Sequence, residues 1–520
     1  MSVLLTLAEE IAESGVSHIF GIPGSGASLT LLDALEKRGV IFYPTHFEGT
    51  AALMAGAQGR LNGKAGAAIS IKGPGLANMI PGLAACRLEA LPVVAISECY
   101  SPGTSLSKTH KRMDHKGLVS AVAKGSRFLS RKGPRFSDLA AWAEQEVPGP
   151  VHLDINESEI DEDEPALLFE ADEKGLSEHS RIYDLIKDSE RPAVIAGTLA
   201  LRNNLSSMLN ELRVPVCSVA AAKGVVDETL PHAAGVYTGA GLALAPESSL
   251  LKQADMIIGL GLRHNEVLTV GSFQRKALNL DPLENTLSWG FGFDHVFAGS
   301  PEEWEATFTA LGEKEWGSEV LNRSFERLKE KMLSGAFLPA NAFQCIERHF
   351  HGRARLVLDT GNFCTIGEHM WRARRPAWYL GSGQGRYMGV GLPMAIGAAL
   401  GDPAVPTVAV LGDGGIGMFV ADIKLAVKYK LPLIVVLMSD GYLGSIRTRS
   451  IKDGLTQEPV RVYQPSWIKT MGGLGVCAER ISSEMEMEEV LKGWSPSDGP
   501  LYLEIPFDPE AYQEMVRDIR

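Results

Sequence analysis

Hydrophobic positions fall into three long stretches that share one grammar: a short β-branched run, a glycine turn, then apolar residues at helical spacing. In the first stretch HIFGIPGSG, AGAAISIKGPG, LPVVAIS and GPVHLDI read as buried strands. The second opens with RPAVIAG, continues through VPVCSVAAAKG and ADMIIGLG, and ends near Leu311. The third contains ARLVLDTGN, TVAVLGDGG, LPLIVVLMSDG and GPLYLEIP. Runs that are apolar throughout, alternating with helical patterns, predict parallel sheets covered by helices. The predicted fold is therefore α/β, with three doubly wound domains over residues 1–160, 180–312 and 335–520. The acid-rich segment INESEIDEDEPALLFEADEKG predicts a solvated linker, and GEKEWGSEVLNRSFERLKEKM a charged helical connector. The first and third stretches both close on a GP-x-x-L-x-I strand, a hint of two related sheets flanking a middle domain.

Composition narrows the function. With 520 residues, 45% hydrophobic and 22% charged, the chain is long enough to bury large cores. A net charge of −13 argues against electrostatic binding to nucleic acid or anionic membranes. No apolar run approaches the ~18 residues of a membrane span. The start MSVLLTLAEEIAES lacks the basic-then-apolar order of a secretory signal. Six scattered cysteines without a CxxC pair suit a reducing compartment. The expectation is a cytoplasmic enzyme.

The sharpest local signal is TVAVLGDGGIGMFVADIKLAVKYKLPLIVVLMSDGYLG. Gly412, Gly414 and Gly417 spell G-x-G-x-x-G after a strand at Val408 to Leu411. A helix follows with Ile423, Ala426 and Val427 on one face and Lys424 and Lys428 on a more exposed one. Asp440 ends the next strand, so the segment can be read as a dinucleotide turn with its ribose acid, and the chain as an NAD(P)-dependent oxidoreductase. Asp413 opposes that reading, because a carboxylate inside the turn repels a pyrophosphate unless a divalent cation stands between them. With a cation, Asp413 and Asp440 become two oxygen ligands on one Mg²⁺, and diphosphate oxygens supply others.

Read that way, the segment resembles the G-D-G…N-N signature of thiamine-diphosphate (ThDP) enzymes, in the branch with acetolactate synthase, glyoxylate carboligase and benzoylformate decarboxylase. The resemblance implies Asp413, Asp440 and the Tyr442 carbonyl as metal ligands, although Ser439-Asp440 stands where the family has Asn-Asn. YPTHFEGTAALMAGAQGR resembles the family's glutamate helix, with Glu48 as the catalytic acid that hydrogen-bonds the aminopyrimidine. IKGPGLANMIPGLAACRLEALPVVAIS resembles its G-P-G-x-x-N stretch, and GSGQGRYMGVGLPMAIGAALG the segment in which Met388 bends the cofactor. The implied cofactor residues are Gly73, Asn78, Met388, Gly412, Asp413, Gly414, Gly415, Asp440, Tyr442 and Leu443. The three domains become pyrimidine-binding, middle and diphosphate-binding. ThDP supplies a C2 ylide and electron sink, and Glu48, by favouring the imino tautomer, helps move the C2 proton.

The resemblance also implies a lyase or carboligase acting on a small 2-oxo acid or aldehyde, in a homodimer or homotetramer with active sites between subunits. The substrate candidates are Ser25 after the first glycine turn, His46 two residues before Glu48, Lys72 before G-P-G, where a lysine equally suits a structural ion pair, and Arg449. Arg449 stands about where acetohydroxyacid synthase has tryptophan, and Arg263-His264-Asn265-Glu266-Val267 replaces the family's R-F-D-D-R stretch. Both departures weaken an acetohydroxyacid assignment. FAD or ADP is not expected in the middle domain, although a domain of that type can hold an adenine nucleotide. A non-catalytic ThDP-binding paralogue is the remaining alternative, opposed by the retention of Glu48, Asp413 and Asp440.

Overall fold

The computed structural model describes residues 2–157 and 179–519, other than 102, 282, 284–286, 298–303, 382, 384, 464 and 518. The eleven predicted strands and seven more that the sequence reading did not single out form three six-stranded sheets, each flanked by helices. The first contains β1 (His18–Ile22), β2 (Ile41–Pro44), β3 (Gly66–Ser70), β4 (Val93–Glu98), β5 (Ser126–Phe128) and β6 (Pro150–Ile155). The second contains β7 (Pro192–Ala196), β8 (Val216–Ser218), β9 (Ala233–Val236), β10 (Met256–Leu260), β11 (Lys276–Leu280) and β12 (His295–Phe297). The third contains β13 (Arg355–Leu358), β14 (Tyr379–Gly381), β15 (Thr407–Gly412), β16 (Leu433–Ser439), β17 (Cys477–Arg480) and β18 (Leu501–Pro506).

The outer sheets have the same topology. The first runs β2-β1-β3-β4-β6-β5 and the third β14-β13-β15-β16-β18-β17, so the two GP-x-x-L-x-I strands occupy equivalent places. The middle sheet runs β12-β11-β10-β7-β8-β9, the order of a dinucleotide-binding fold, with its reversal between β7 and β10. Pairing is parallel within all three sheets, for instance Val410 with Val436 and Ile69 with Ile96. That explains strands such as LIVVL in β16, buried on both faces.

One apolar core joins the first and third domains. The helix Glu48–Asn62 is buried from Glu48 through Gly59, between the helices Pro74–Leu88 and Gly391–Gly401. Its composition, GTAALMAGAQG, explains the depth, because small side chains let backbones approach closely. A Cβ on Gly397 would lie 2.6 Å from the Met54 Cα. The charged connector is helical over Ser318–Leu333, while the acid-rich linker lies, but for its first residues, outside the described residues. No described helix is long and apolar enough to cross a membrane.

Candidate active site

β15 and β16 are neighbours in register, Gly412 beside Met438, so Asp413 and the Ser439-Asp440 pair emerge together at the carboxyl edge of the sheet. This is where open parallel sheets bind ligands. Asp413 is 6% exposed, and its carboxylate accepts Ser439 Oγ at 2.8 Å and the backbone N–H groups of Asp440 and Gly441 at 2.9 and 2.8 Å. Asp440 Oδ1 accepts the Tyr442 N–H at 3.1 Å, while its Oδ2 is buried without a hydrogen-bond partner. Burial, joined by the charge of Asp413, pushes the Asp440 carboxyl up to about 6. A second acid carrying an orphaned oxygen beside Asp413 is an arrangement that a hard divalent cation would complete.

The two acids line a cavity of about 360 Å³ shared with Asn362, Arg386, Met388, Gly412, Gly414, Tyr442 and Leu443. Gly414 forms part of its cradle: a Cβ there would lie 2.5 Å from Met388 Sδ and 2.6 Å from Leu443 Cδ2. Gly415 is buried behind the turn, against Asp359. Tyr442 is fixed by the Arg447 guanidinium over its ring at 4.3 Å. The dinucleotide reading meets an obstacle in the backbone. The helix at the turn covers only Asp413–Ile416, and the helix with buried Ile423 and Ala426 starts separately at Ile423. A pyrophosphate-binding helix would run on from the turn.

The predicted residues of the first domain gather elsewhere. Glu48 is 5% exposed and its Oε2 accepts Asn78 Nδ2–H at 3.2 Å. Gly73, at φ 63°, opens the helix that carries Asn78. Lys72 Nζ donates to Glu98 Oε2 at 2.8 Å and lies 5.3 Å from the Tyr100 ring centroid. Glu98 is fully engaged, accepting Ser28 Oγ–H at 2.6 Å and the N–H groups of Ser28 and Gly26. None of Glu48, Gly73, Asn78 or Lys72 lines the cavity around Asp413.

The other substrate candidates scatter. Ser25 is exposed. His46 is tied to buried Asp422 of the third domain, through its backbone N–H at 2.8 Å and Nδ1 at 3.2 Å. Arg449 projects from the helix Gly444–Lys452 with an 81% exposed side chain paired to Asp453 at 3.0 Å, and it does not line the cavity.

Asp359, Asn362 and Arg386 are among the residues near the cavity that escaped the sequence reading. Asp359, fully buried after β13, accepts the Gly389 N–H with both oxygens at 2.9 Å, and so anchors the loop that carries Met388. Burial pushes its carboxyl up to about 7. Asn362 opens the next helix and lines the cavity. The available signal was the acid directly after the LVL run, at a strand's carboxyl end.

In the middle domain a carboxylate stands at the topological reversal. Glu266 Oε2 accepts the Thr198 N–H at 3.1 Å, and its Oε1 takes the Thr198 hydroxyl. Arg263 is held by both Asp281 oxygens at 2.9 and 3.0 Å and also reaches Glu146 of the first domain, which binds Arg202 at 2.8 Å. The backbone donor that a nucleotide pyrophosphate would use here is already capped by an acid.

Comparison with known proteins agrees with this partition. Residues 1–118 match the model for the N-terminal TPP binding domain of thiamine pyrophosphate enzymes, residues 179–287 the central domain, and residues 359–505 the C-terminal TPP binding domain. A probable acetolactate synthase large subunit from Methanocaldococcus jannaschii is 26% identical, across 98% of this chain and 92% of its own length. An acetolactate synthase from Bacillus subtilis is 24% identical over 96% of this chain and 92% of its own length. A probable 2-ketoarginine decarboxylase from Pseudomonas aeruginosa is 26% identical over 96% and 93%.

Proposed function

Because this chain belongs to the thiamine pyrophosphate (thiamine diphosphate) enzyme family, in its acetolactate synthase-like carboligase and decarboxylase branch, we propose that it is an Mg²⁺-dependent lyase or carboligase acting on a 2-oxo acid. The observation that carries the metal is the acid pair at the ends of β15 and β16, with Asp440 Oδ2 buried and without a hydrogen-bond partner. Relatives named for acetolactate synthesis and 2-ketoarginine decarboxylation point to chemistry at a carbon–carbon bond beside a carbonyl.

Bound thiamine diphosphate supplies the carbon nucleophile and electron sink. The chain's own groups then have three tasks. Asp413, Asp440 and the Tyr442 carbonyl would hold Mg²⁺ and, through it, the diphosphate. Met388, on a loop pinned by Asp359, serves as the apolar wedge that bends the molecule. Glu48, oriented by Asn78, would hold a proton at the aminopyrimidine of the bound cofactor. A carboxyl kept dry at a helix start suits that task better than surface duty, which argues against a non-catalytic paralogue.

Glu48 and the Asp413 cavity belong to separate clusters of one chain, and the described residues lining that cavity all come from the third domain. A homodimer in which the first domain of one subunit faces the third domain of the other completes the site. Calorimetry of ThDP binding, with Mg²⁺ and with EDTA, tests the reading. Metal-dependent binding is expected, and its absence removes the proposal.

A further inference from the structure

One buried polar cluster is not used by the chemistry above, and it lies beneath the turn that opens the helix Pro74–Leu88. β6 puts His152 and Asp154 two residues apart on one face of the first sheet. Asp114 caps the short helix His115–Val119 by accepting the Gly117 N–H at 3.0 Å, which sets His115 over Asp154. His115 Nδ1 is 2.6 Å from Asp154 Oδ1, and its Nε2 is 2.9 Å from the Gly73 nitrogen. A backbone N–H can only donate, so Nε2 carries the lone pair and Nδ1 the proton. The two partners thus select one neutral tautomer. Behind them His152 is fully buried, with Nδ1 on Ser126 Oγ at 2.8 Å and Nε2 3.7 Å from the same Asp154 oxygen.

The ligand atoms of His115, His152 and Asp154 lie within 4.8 Å of one another, the spacing of a metal cluster. The 2.6 Å contact decides against one, because two ligands on a tetrahedral zinc stand about 3.3 Å apart. The cluster is a hydrogen-bond relay, and its end point is Gly73. That residue has φ 63°, and a Cβ on it would lie 1.9 Å from the Lys111 carbonyl oxygen, so the turn has no side chain of its own to hold it. From this turn the helix carries Asn78 to Glu48 Oε2, and a Cβ on Gly75 would stand 3.2 Å from Glu48 Oε1. A shift of the turn moves both neighbours of the Glu48 carboxyl.

We propose that Asp154 and His115 are positioning residues: they hold the Gly73 N–H, and through the helix start and Asn78 they fix the aim of Glu48. The proposal rests on the reading of Glu48 as the acid that faces the aminopyrimidine.

His115→Gln keeps a neutral donor–acceptor pair long enough to reach Gly73, His115→Asn is too short, and His115→Leu has neither group. The measurement is C2 hydrogen–deuterium exchange of bound ThDP, read by quenched-flow NMR, beside Mg²⁺–ThDP affinity by calorimetry. The Asn and Leu variants should slow exchange per bound cofactor by about ten- to a hundred-fold with affinity within about three-fold, while Gln stays within about three-fold of wild type. A merely structural role would lower the fraction loaded and leave exchange per bound cofactor at the wild-type rate, and that result overturns the proposal. So does a Gln variant as slow as Asn. Should the variants not fold, labelled-histidine NMR of the wild type decides, with His115 expected as the Nδ1–H tautomer and the Nε2–H form overturning the relay. Wild-type protein that does not bind ThDP overturns the Glu48 reading itself, a failure visible before any variant is made.

Discussion

Replacing Asp440 by Asn isolates the electrostatic cost of the acid pair. The carboxyl is partly desolvated, its Oδ2 has no partner, and its pKa rises from 3.8 to about 6, first through burial and then through the charge of Asp413. An acid whose folded pKa lies above its unfolded value opposes folding when ionised. The penalty is full above pH 6 and fades as the pH falls from 6 towards 4. At 1.36 kcal/mol per unit, it amounts to about 3 kcal/mol at pH 7. A divalent cation on the orphaned oxygen offsets it. Asp440→Asn keeps an oxygen ligand and removes the charge, so the cofactor-free variant should be up to about 3 kcal/mol more stable at pH 7.5 and no more stable at pH 4. The decisive assay is the ratio of wild-type to Asp440→Asn affinity for Mg²⁺–ThDP between pH 5 and 8. Titration of the cofactor's own phosphates cancels in that ratio. It should fall roughly ten-fold for each pH unit below 6, where protons compete with the cation for Asp440. A ratio constant across this range would refute the reasoning, because it would mean that Asp440 is not titrated at the site.

Glu48→Gln should slow C2 exchange by about 10²-fold or more while Mg²⁺–ThDP affinity changes far less, as expected of a group that moves a proton rather than anchors a ligand. Exchange at the wild-type rate would exclude it. Mixing inactive Glu48→Gln with inactive Asp413→Ala after reversible dissociation should restore about a quarter of wild-type activity, since half of the random dimers each regain one intact site. Sites built within single chains would restore none. Gly414→Ala, whose methyl group would press on Met388 Sδ and Leu443 Cδ2, should weaken cofactor binding with little loss of thermal stability, measured by calorimetry beside scanning calorimetry. Glu146→Ala, which removes a carboxylate shared by Arg202 and fully buried Arg263, should lower folding stability by no more than about 3 kcal/mol in denaturant titration, since Asp281 still neutralises Arg263.

The resemblance singled out Glu48, Asp413, Asp440 and Met388 through local motifs, each at the start of a helix, the end of a strand or in a glycine loop. Such positions are legible because strand ends and tight turns need particular residue types within a few positions. Asp359 was not legible as a partner of Gly389, nor His115 as a partner of Gly73, because these contacts join residues 30 and 42 positions apart across different elements. Lys72 shows the converse. The sequence left it open between an anion-binding role and a structural ion pair, and β4 returns Glu98 to within 2.8 Å and engages it.

Periodicity alone pointed to an α/β chain in three stretches and to its central strands as buried on both faces, because a run that is apolar throughout reports burial on both sides. Tertiary structure decided the strand order shared by the first and third sheets, the separation of Glu48 from the Asp413 cavity within one chain, and the engagement of Glu266 and Arg263 at the middle domain's reversal. The reason is physical: hydrophobic burial is non-directional, so a pattern can state that a face is covered but not by what. The identity of the cover is set by crossover handedness, strand register and the pairing of buried polar groups, which exist only once distant segments are in contact.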